Sequence, residues 1–266
     1  MLRRILFILV SLSFVAQAAL AQTPFDINKQ SLLTEIVNRK KLVVGMELKY
    51  PPFESTDAKG QAQGLDVELA KLAAKDLGVE LEIKDMEWTG LIPALQTGKI
   101  DLIISGITGT LERAKTITFT QAYFTTGLCA LLSAKRASDV TKVEELNDAK
   151  RVIAVKTGTT SDLLASKRFP KATINRYKDE SACVQEVVNG RADAFIYDQL
   201  SIAKHAKEYP EATKALLAPF TYEPFCIAMH KGDFDLWNWF EMFVSLRKAD
   251  GTLEELRKQF IEPLLK

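Results

Sequence analysis

The sequence predicts an α/β protein of two lobes, each built on a mostly parallel sheet flanked by helices. Three observations lead there. Strand-like apolar runs alternate with helical patterns through residues 42–104, and the alternation restarts through 151–208. Two β-prone stretches, 124–132 and 225–229, stand between and after these series, where they can carry the chain out to a second lobe and back. A chain of 266 residues supports two lobes of about one hundred residues each, a normal domain size.

The chain opens on a targeting pattern. Arg3 and Arg4 form a positive start, 5–19 is an apolar run too short and too rich in small residues for a comfortable membrane span, and Ala19-Leu20-Ala21 is an A-x-A cleavage site. Residues 1–21 are expected to be a signal peptide, with the mature chain starting at about Gln22 in a periplasm; an uncleaved anchor is the alternative. No cysteine stands at the cleavage point, which argues against a lipid anchor. Lysine and arginine number 35 against 34 acids. Losing Arg3 and Arg4 brings the formal charge to about −1. Nothing in that balance suggests nucleic acid.

After a polar lead-in over 34–41, residues 42–46 read as a first buried strand. Tyr50-Pro51-Pro52-Phe53 cannot continue it, because paired prolines remove donors and fix φ. Asp57-Ala58-Lys59-Gly60 marks a turn. Residues 65–77 form an amphipathic helix, with Leu65, Leu69, Leu72, Ala73 and Leu77 on one face and Gly78 as its stop. A strand over 79–86, a short helix over 88–96 and a strand over 100–104 complete a β-α-β-α-β run.

Ser105-Gly106-Ile107-Thr108-Gly109-Thr110-Leu111-Glu112-Arg113 follows that last strand. Thr110 is an N-cap candidate ahead of good helix formers. Small residues leave backbone N–H groups free near Gly106 and Thr108, and Arg113 offers a planar fork that matches a carboxylate, so the segment is suited to holding an anion. Taken alone it also reads as an ordinary strand-to-helix loop with a surface arginine.

The second series has strands over 151–155, 172–177 and 192–196 and helices over 160–167, 180–189 and 199–208. Strand 225–229 and helices 234–248 and 253–264 close the chain. Two crossings between lobes make a hinge, and a hinge makes a cleft. Lobe one is expected over 22–128 plus 225–266, and lobe two over 129–224. Cys129, Cys183 and Cys226 lack metal spacing and sit in apolar runs, reading as small core residues. Cys129 and Cys226 lie on the two connectors, so a disulfide and two packed thiols both stand open.

Several pieces, weak singly, form an ordered set over essentially the whole mature chain: Tyr50-Pro-Pro-Phe53, Gly64-Leu-Asp-Val-Glu-Leu-Ala70, Ile92-Pro-Ala-Leu-Gln-Thr-Gly-Lys-Ile-Asp101, Ser105-Gly-Ile-Thr108 with Glu112-Arg113-Ala-Lys115, Val155-Lys-Thr-Gly-Thr159, and Gly190-Arg-Ala-Asp-Ala194 followed by Asp198. In this order and spacing the chain resembles the periplasmic polar amino-acid-binding proteins of ABC importers, solute-binding protein family 3, with the type II periplasmic binding protein fold. The resemblance implies a free amino acid as ligand, an inner-membrane ABC permease as partner, a monomer, and no cofactor. It implies that Arg113 clamps the ligand's α-carboxylate, helped by N–H groups of Thr108, Thr159 and Thr160, and that the Gly106 carbonyl, the Thr108 hydroxyl and Asp198 accept from the α-ammonium. Ser105 belongs to the same segment. Tyr50 and Trp88 stand where the family sets rings against the ligand's side chain. Glu47 takes the position of an acid that reads that side chain, longer by a methylene than the family's usual Asp, and Lys156 follows the second lobe's first strand.

Glutamine is the expected ligand, its amide NH2 facing Glu47 and its carbonyl facing Lys156. A basic amino acid suits Glu47 but is repelled by Lys156, an acidic one has the reverse problem, and pairing of Glu47 with Lys156 across the closed cleft is a third arrangement. An enzyme reading is also open: some proteins of this resemblance are cyclohexadienyl dehydratases, for which Glu47 and Lys156 could supply acid and base. His205 and His230 read as surface or structural residues, and no Ser-His-Asp or metal constellation supports that reading. A receptor's sensor domain is a third reading, disfavoured because no apolar span follows the last helix.

Overall fold

The structure is a computed structural model that describes residues 31–265. The expected signal peptide and the start at Gln22 lie outside the described residues. Among those described, no helix is long and apolar enough to cross a membrane.

Helix α1 (Leu32–Arg39) replaces the expected polar lead-in; Ser31 caps it, accepting from the Leu33 amide, while Ile36 enters the core. Strand β1 (Lys41–Met46) follows. Strands β2 (Lys49–Tyr50), β3 (Glu54–Thr56) and β4 (Ala62–Gln63) form a small antiparallel sheet around the Tyr50–Phe53 corner. The turn expected at 57–60 is present, with the Gly60 amide donating to the Asp57 carbonyl at 3.0 Å. Next come α2 (Leu65–Leu77), stopped by Gly78 in the left-handed region, then β5 (Glu80–Asp85), α3 (Trp88–Gln96) and β6 (Leu102–Ile103).

The helix expected after Thr110 is a single 3-10 turn over Arg113–Lys115. Its N-cap position is Glu112, which makes no side-chain cap bond, although the Thr110 hydroxyl accepts from the Arg113 amide at 3.2 Å; the β-branched run Thr116-Ile117-Thr118 commits the chain to a strand. Strand β7 (Ile117–Thr126) meets β8 (Leu128–Ser133) across Gly127. A second alternation gives β9 (Val152–Lys156), α4 (Thr160–Arg168), β10 (Thr173–Tyr177), α5 (Glu180–Val188), β11 (Ala194–Asp198), α6 (Gln199–Glu208) and β12 (Thr213–Leu216). The chain closes with β13 (Glu223–His230), α7 (Phe234–Ala249), α8 (Thr252–Phe260) and α9 (Glu262–Leu265). The helix expected over 253–264 is broken at Ile261, because Pro263 lacks the N–H that an unbroken helix would use.

Two five-stranded sheets result, in the orders β5-β1-β6-β13-β7 and β10-β9-β11-β8-β12. In each, the first three strands are parallel, the fourth runs against them and the fifth runs with them, so the last two pairings are antiparallel. Apolar clusters cover both faces of both sheets, which is why β8 is buried at all six positions rather than at alternate ones. The outward crossing is at Gly127. The return runs through 217–222, ahead of β13, and not along 225–229 as expected, since β13 lies wholly within the first sheet. The two crossings touch: a Cβ at Gly127 would stand 2.4 Å from the Thr221 carbonyl oxygen, and the Leu128 amide donates to the Thr221 hydroxyl.

The three cysteines are free and buried. Cys129 pairs in register with Tyr197 in the second sheet and Cys226 with Ala122 in the first, so the disulfide weighed from the sequence is not formed.

Candidate functional site

In both sheets the parallel strands end toward one cavity, the position where open α/β sheets bind ligands. The cavity encloses about 450 Å³, its open mouth included, and ten of the residues singled out from sequence line it: Glu47, Tyr50, Trp88, Ser105, Gly106 and Thr108, then Arg113, Thr159, Thr160 and Asp198. Lys156 does not line it; its ammonium is bound to Glu47.

Arg113 is held where a carboxylate could meet it. Its Nη1 donates to the Thr108 carbonyl at 2.9 Å, and its Nη2 reaches across to the Gly158 carbonyl of the other half at 3.2 Å. Burial lowers its pKa to about 10, partly opposed by Glu223, so the guanidinium stays charged at neutral pH. Opposite, Thr159 and Thr160 line the cavity at the start of α4, where the Thr159 hydroxyl caps the helix by accepting from the Asp162 amide at 3.4 Å and the Thr159 amide, expected to help the carboxylate, is taken by the Lys156 carbonyl at 3.4 Å.

Asp198 ends β11 and caps α6, accepting from the Ser201 amide at 3.3 Å. Burial, reinforced by Glu180 and opposed by a hydrogen bond from Tyr50, raises its pKa to about 7. The Tyr50 ring belongs to the first half, stacks on Phe53 at 5.1 Å and meets Tyr197 of the second edge-on at 5.7 Å. Gly106 lies against it at φ 51°, and a Cβ there would come within 2.6 Å of the Tyr50 ring, so glycine is required for both backbone and space.

Glu47 lines the cavity and is paired with Lys156, the third of the arrangements left open by the sequence. Both side chains are 3% exposed, and the ion pair joins the end of β1 to the end of β9. The Trp88 ring lies beside it, 5.9 Å from the Lys156 ammonium and 5.3 Å from the Arg113 guanidinium.

Glu54, Leu128, Tyr197, Glu223 and Phe225 also line the cavity and were not identified from sequence. The available signals were an acid directly after Phe53, a tyrosine beside Asp198 and an acid opening the 225–229 strand. Glu54 is fully buried; one carboxyl oxygen accepts from the Ser105 hydroxyl at 2.5 Å and the other has no partner. Glu223 likewise keeps one oxygen unpartnered. His205, away from the cavity, is buried between Glu180 and Glu208, each 2.7 Å from a ring nitrogen, while His230 is exposed.

Residues 42–263 match the bacterial extracellular solute-binding proteins, family 3. The glutamine-binding protein of a Bacillus subtilis (strain 168) ABC transporter is 31% identical over 242 residues, covering 88% of this chain and 86% of that protein. The crystal structure of an ancestral amino acid-binding protein, a precursor of cyclohexadienyl dehydratase, is 39% identical at a TM-score of 0.79, covering 87% of this chain and all of that one. A binding component of a Wolinella succinogenes ABC transporter, solved with lysine, is 36% identical at a TM-score of 0.79, covering 84% and 97%. The chain belongs to the bacterial extracellular solute-binding proteins of family 3.

Proposed function

We propose that the protein captures a free α-amino acid in the cavity between its two sheets and presents it, outside the inner membrane, to an ABC importer permease. One observation carries this reading: a buried guanidinium from the first half, Arg113, and a buried carboxylate from the second, Asp198, border the same cavity. A zwitterion bridging them has both charges met, as burial demands. The two halves act as lobes that move about Gly127 and the 217–222 crossing, and a ligand that touches both favours the closed form.

A basic side chain suits the cavity best. Of the four acids that line it, Glu47 is already matched by Lys156, Asp198 meets the α-ammonium and Glu54 is bound to Ser105, so Glu223, with one oxygen unpartnered, is the carboxylate left to receive a cationic side chain, and no unmatched lysine charge opposes it. The Wolinella relative solved with lysine supports the same choice. Glutamine is the second reading, favoured by the Bacillus relative; its amide would have to part Glu47 from Lys156. The dehydratase alternative loses the independent acid and base it needed, because those two groups hold each other.

Calorimetric titration of ligand-stripped protein against the twenty amino acids tests both levels. Lysine or arginine is expected to bind tightest, with aspartate and glutamate silent. If none of the twenty binds, the capture reading falls; if glutamine or an acidic residue ranks first, only the charge preference falls.

A further inference from the structure

Glu54 on β3, which lines the cavity, and Asp66 on α2, which does not, are both completely buried, 0% exposed. Each keeps one oxygen with no partner, Oε2 of Glu54 and Oδ1 of Asp66. Their other oxygens grip neighbouring residues of the cavity-lining segment: Glu54 Oε1 takes the Ser105 hydroxyl at 2.5 Å, and Asp66 Oδ2 takes the Gly106 amide at 2.6 Å along with the Tyr123 hydroxyl at 2.8 Å. Glu54 and Asp66 are each other's electrostatic neighbours, and two carboxylates with bare oxygens would repel each other in a dry interior. A proton on one makes it a donor to the other and removes both defects at once.

We propose that Glu54 and Asp66 hold one proton between them and act as a single positioning unit, fixing Ser105 and Gly106 from behind for the ligand. Its bearing on ligand capture rests on the function proposed above; the shared proton does not. The surroundings agree. Burial and the Asp66 charge push the Glu54 carboxyl well above the usual range, and burial pushes Asp66 to about 6 despite its donors. The groups that face the pair are Glu47 at the end of β1, Tyr123 on β7 and Tyr197 on β11, besides Ser105 and Gly106 themselves. Glu47 adds to the pressure toward protonation, and Tyr123 stabilises the anionic member. The titration belongs to the pair rather than to either residue.

Infrared spectroscopy of the whole mature protein without ligand reads the proton directly. At about pH 8 the wild type is expected to show a protonated-carboxyl C=O band that Glu54→Gln removes and Asp198→Asn leaves in place. No such band in the wild type, or a band that survives Glu54→Gln, overturns the proposal. Urea unfolding from about pH 5 to 9 gives a second readout. Both folded values lie above the unfolded ones, so wild-type stability falls as pH rises, whereas Glu54→Gln, permanently neutral at that position, flattens the profile. Parallel profiles overturn the proposal. If Glu54→Gln does not fold, Asp66→Asn replaces it: without the neighbouring anion, the Glu54 band is expected to move or vanish. A band that responds as stated while no amino acid binds leaves the dyad standing and removes the capture function instead.

Discussion

Ligand affinity should weaken as the medium turns acid, and Asp198 sets where this happens. Its carboxyl is raised from an ordinary 3.8 to about 7 by burial, with Glu180 adding to the effect. An α-ammonium is matched by the carboxylate and not by the carboxylic acid, so below neutrality capture must drive off one proton. The apparent affinity then falls by a factor approaching ten per pH unit, which at pH 5 leaves it about 100-fold below its alkaline plateau, equal to about 2.7 kcal/mol. The ligand's own α-carboxylate and α-ammonium titrate outside this window. Stability of the empty protein runs the other way. With a folded value above the unfolded one, the contribution of this group is full below pH 3.8 and is lost as pH rises through about 7. Calorimetry at several pH values between 5 and 8, in buffers of unlike protonation enthalpy, measures affinity and proton release together. Affinity constant within twofold across that range, with no proton released, would refute the assignment of Asp198 to the ammonium. Asp198→Asn should bind more weakly throughout and lose the slope.

Arg113→Ala should cost every amino acid at least about 100-fold in affinity by calorimetry, since the lost bonds are charge-assisted and buried; a normal isotherm would free the carboxylate from this residue. Glu47→Gln or Lys156→Met alone should destabilise the fold by about 3–5 kcal/mol in urea unfolding, because each strands a buried charge, whereas the double variant should recover most of that loss. If the single changes cost under about 1 kcal/mol, the pair is not buried in solution. The native thiols should resist a disulfide reagent and all three should react on unfolding, for burial raises Cys129 and Cys183 to about 12 and Cys226 to about 11. Gly106→Ala should lose both stability and binding, with the Tyr50 ring displaced, as seen by thermal unfolding and titration.

Local chemistry made much of the fold legible. The stops at Gly78 and Gly190, the apolar face of 65–77 and the alternation of short apolar runs with helices all correspond to elements that form. What local chemistry hides is geometry set by distant neighbours. Thr110 does accept the Arg113 amide, yet the β-branched residues that follow allow only one 3-10 turn, with Glu112 at its N-cap. Pro263 breaks the last helix at a point where apolar spacing continues. In the site, the strand ends identified the residues that converge, but Glu47 and Lys156 lie 109 positions apart, and spacing alone left open whether they face a ligand or each other. Glu54 and Asp66 were invisible as a pair for the same reason: one follows a proline corner, the other sits in the first turn of a helix, and only the closed fold sets both behind Ser105 and Gly106.

The Trp88 indole lines the cavity, flanked by the guanidinium of Arg113 and the ammonium of Lys156. The other two tryptophans, Trp237 and Trp239, stand on α7, where Trp237 donates to the Phe119 carbonyl and Trp239 stacks against Phe243. On the proposed reading, an amino acid bound at Arg113 would alter the electric field at one chromophore and spare two, an optical gauge with an internal reference and no label attached.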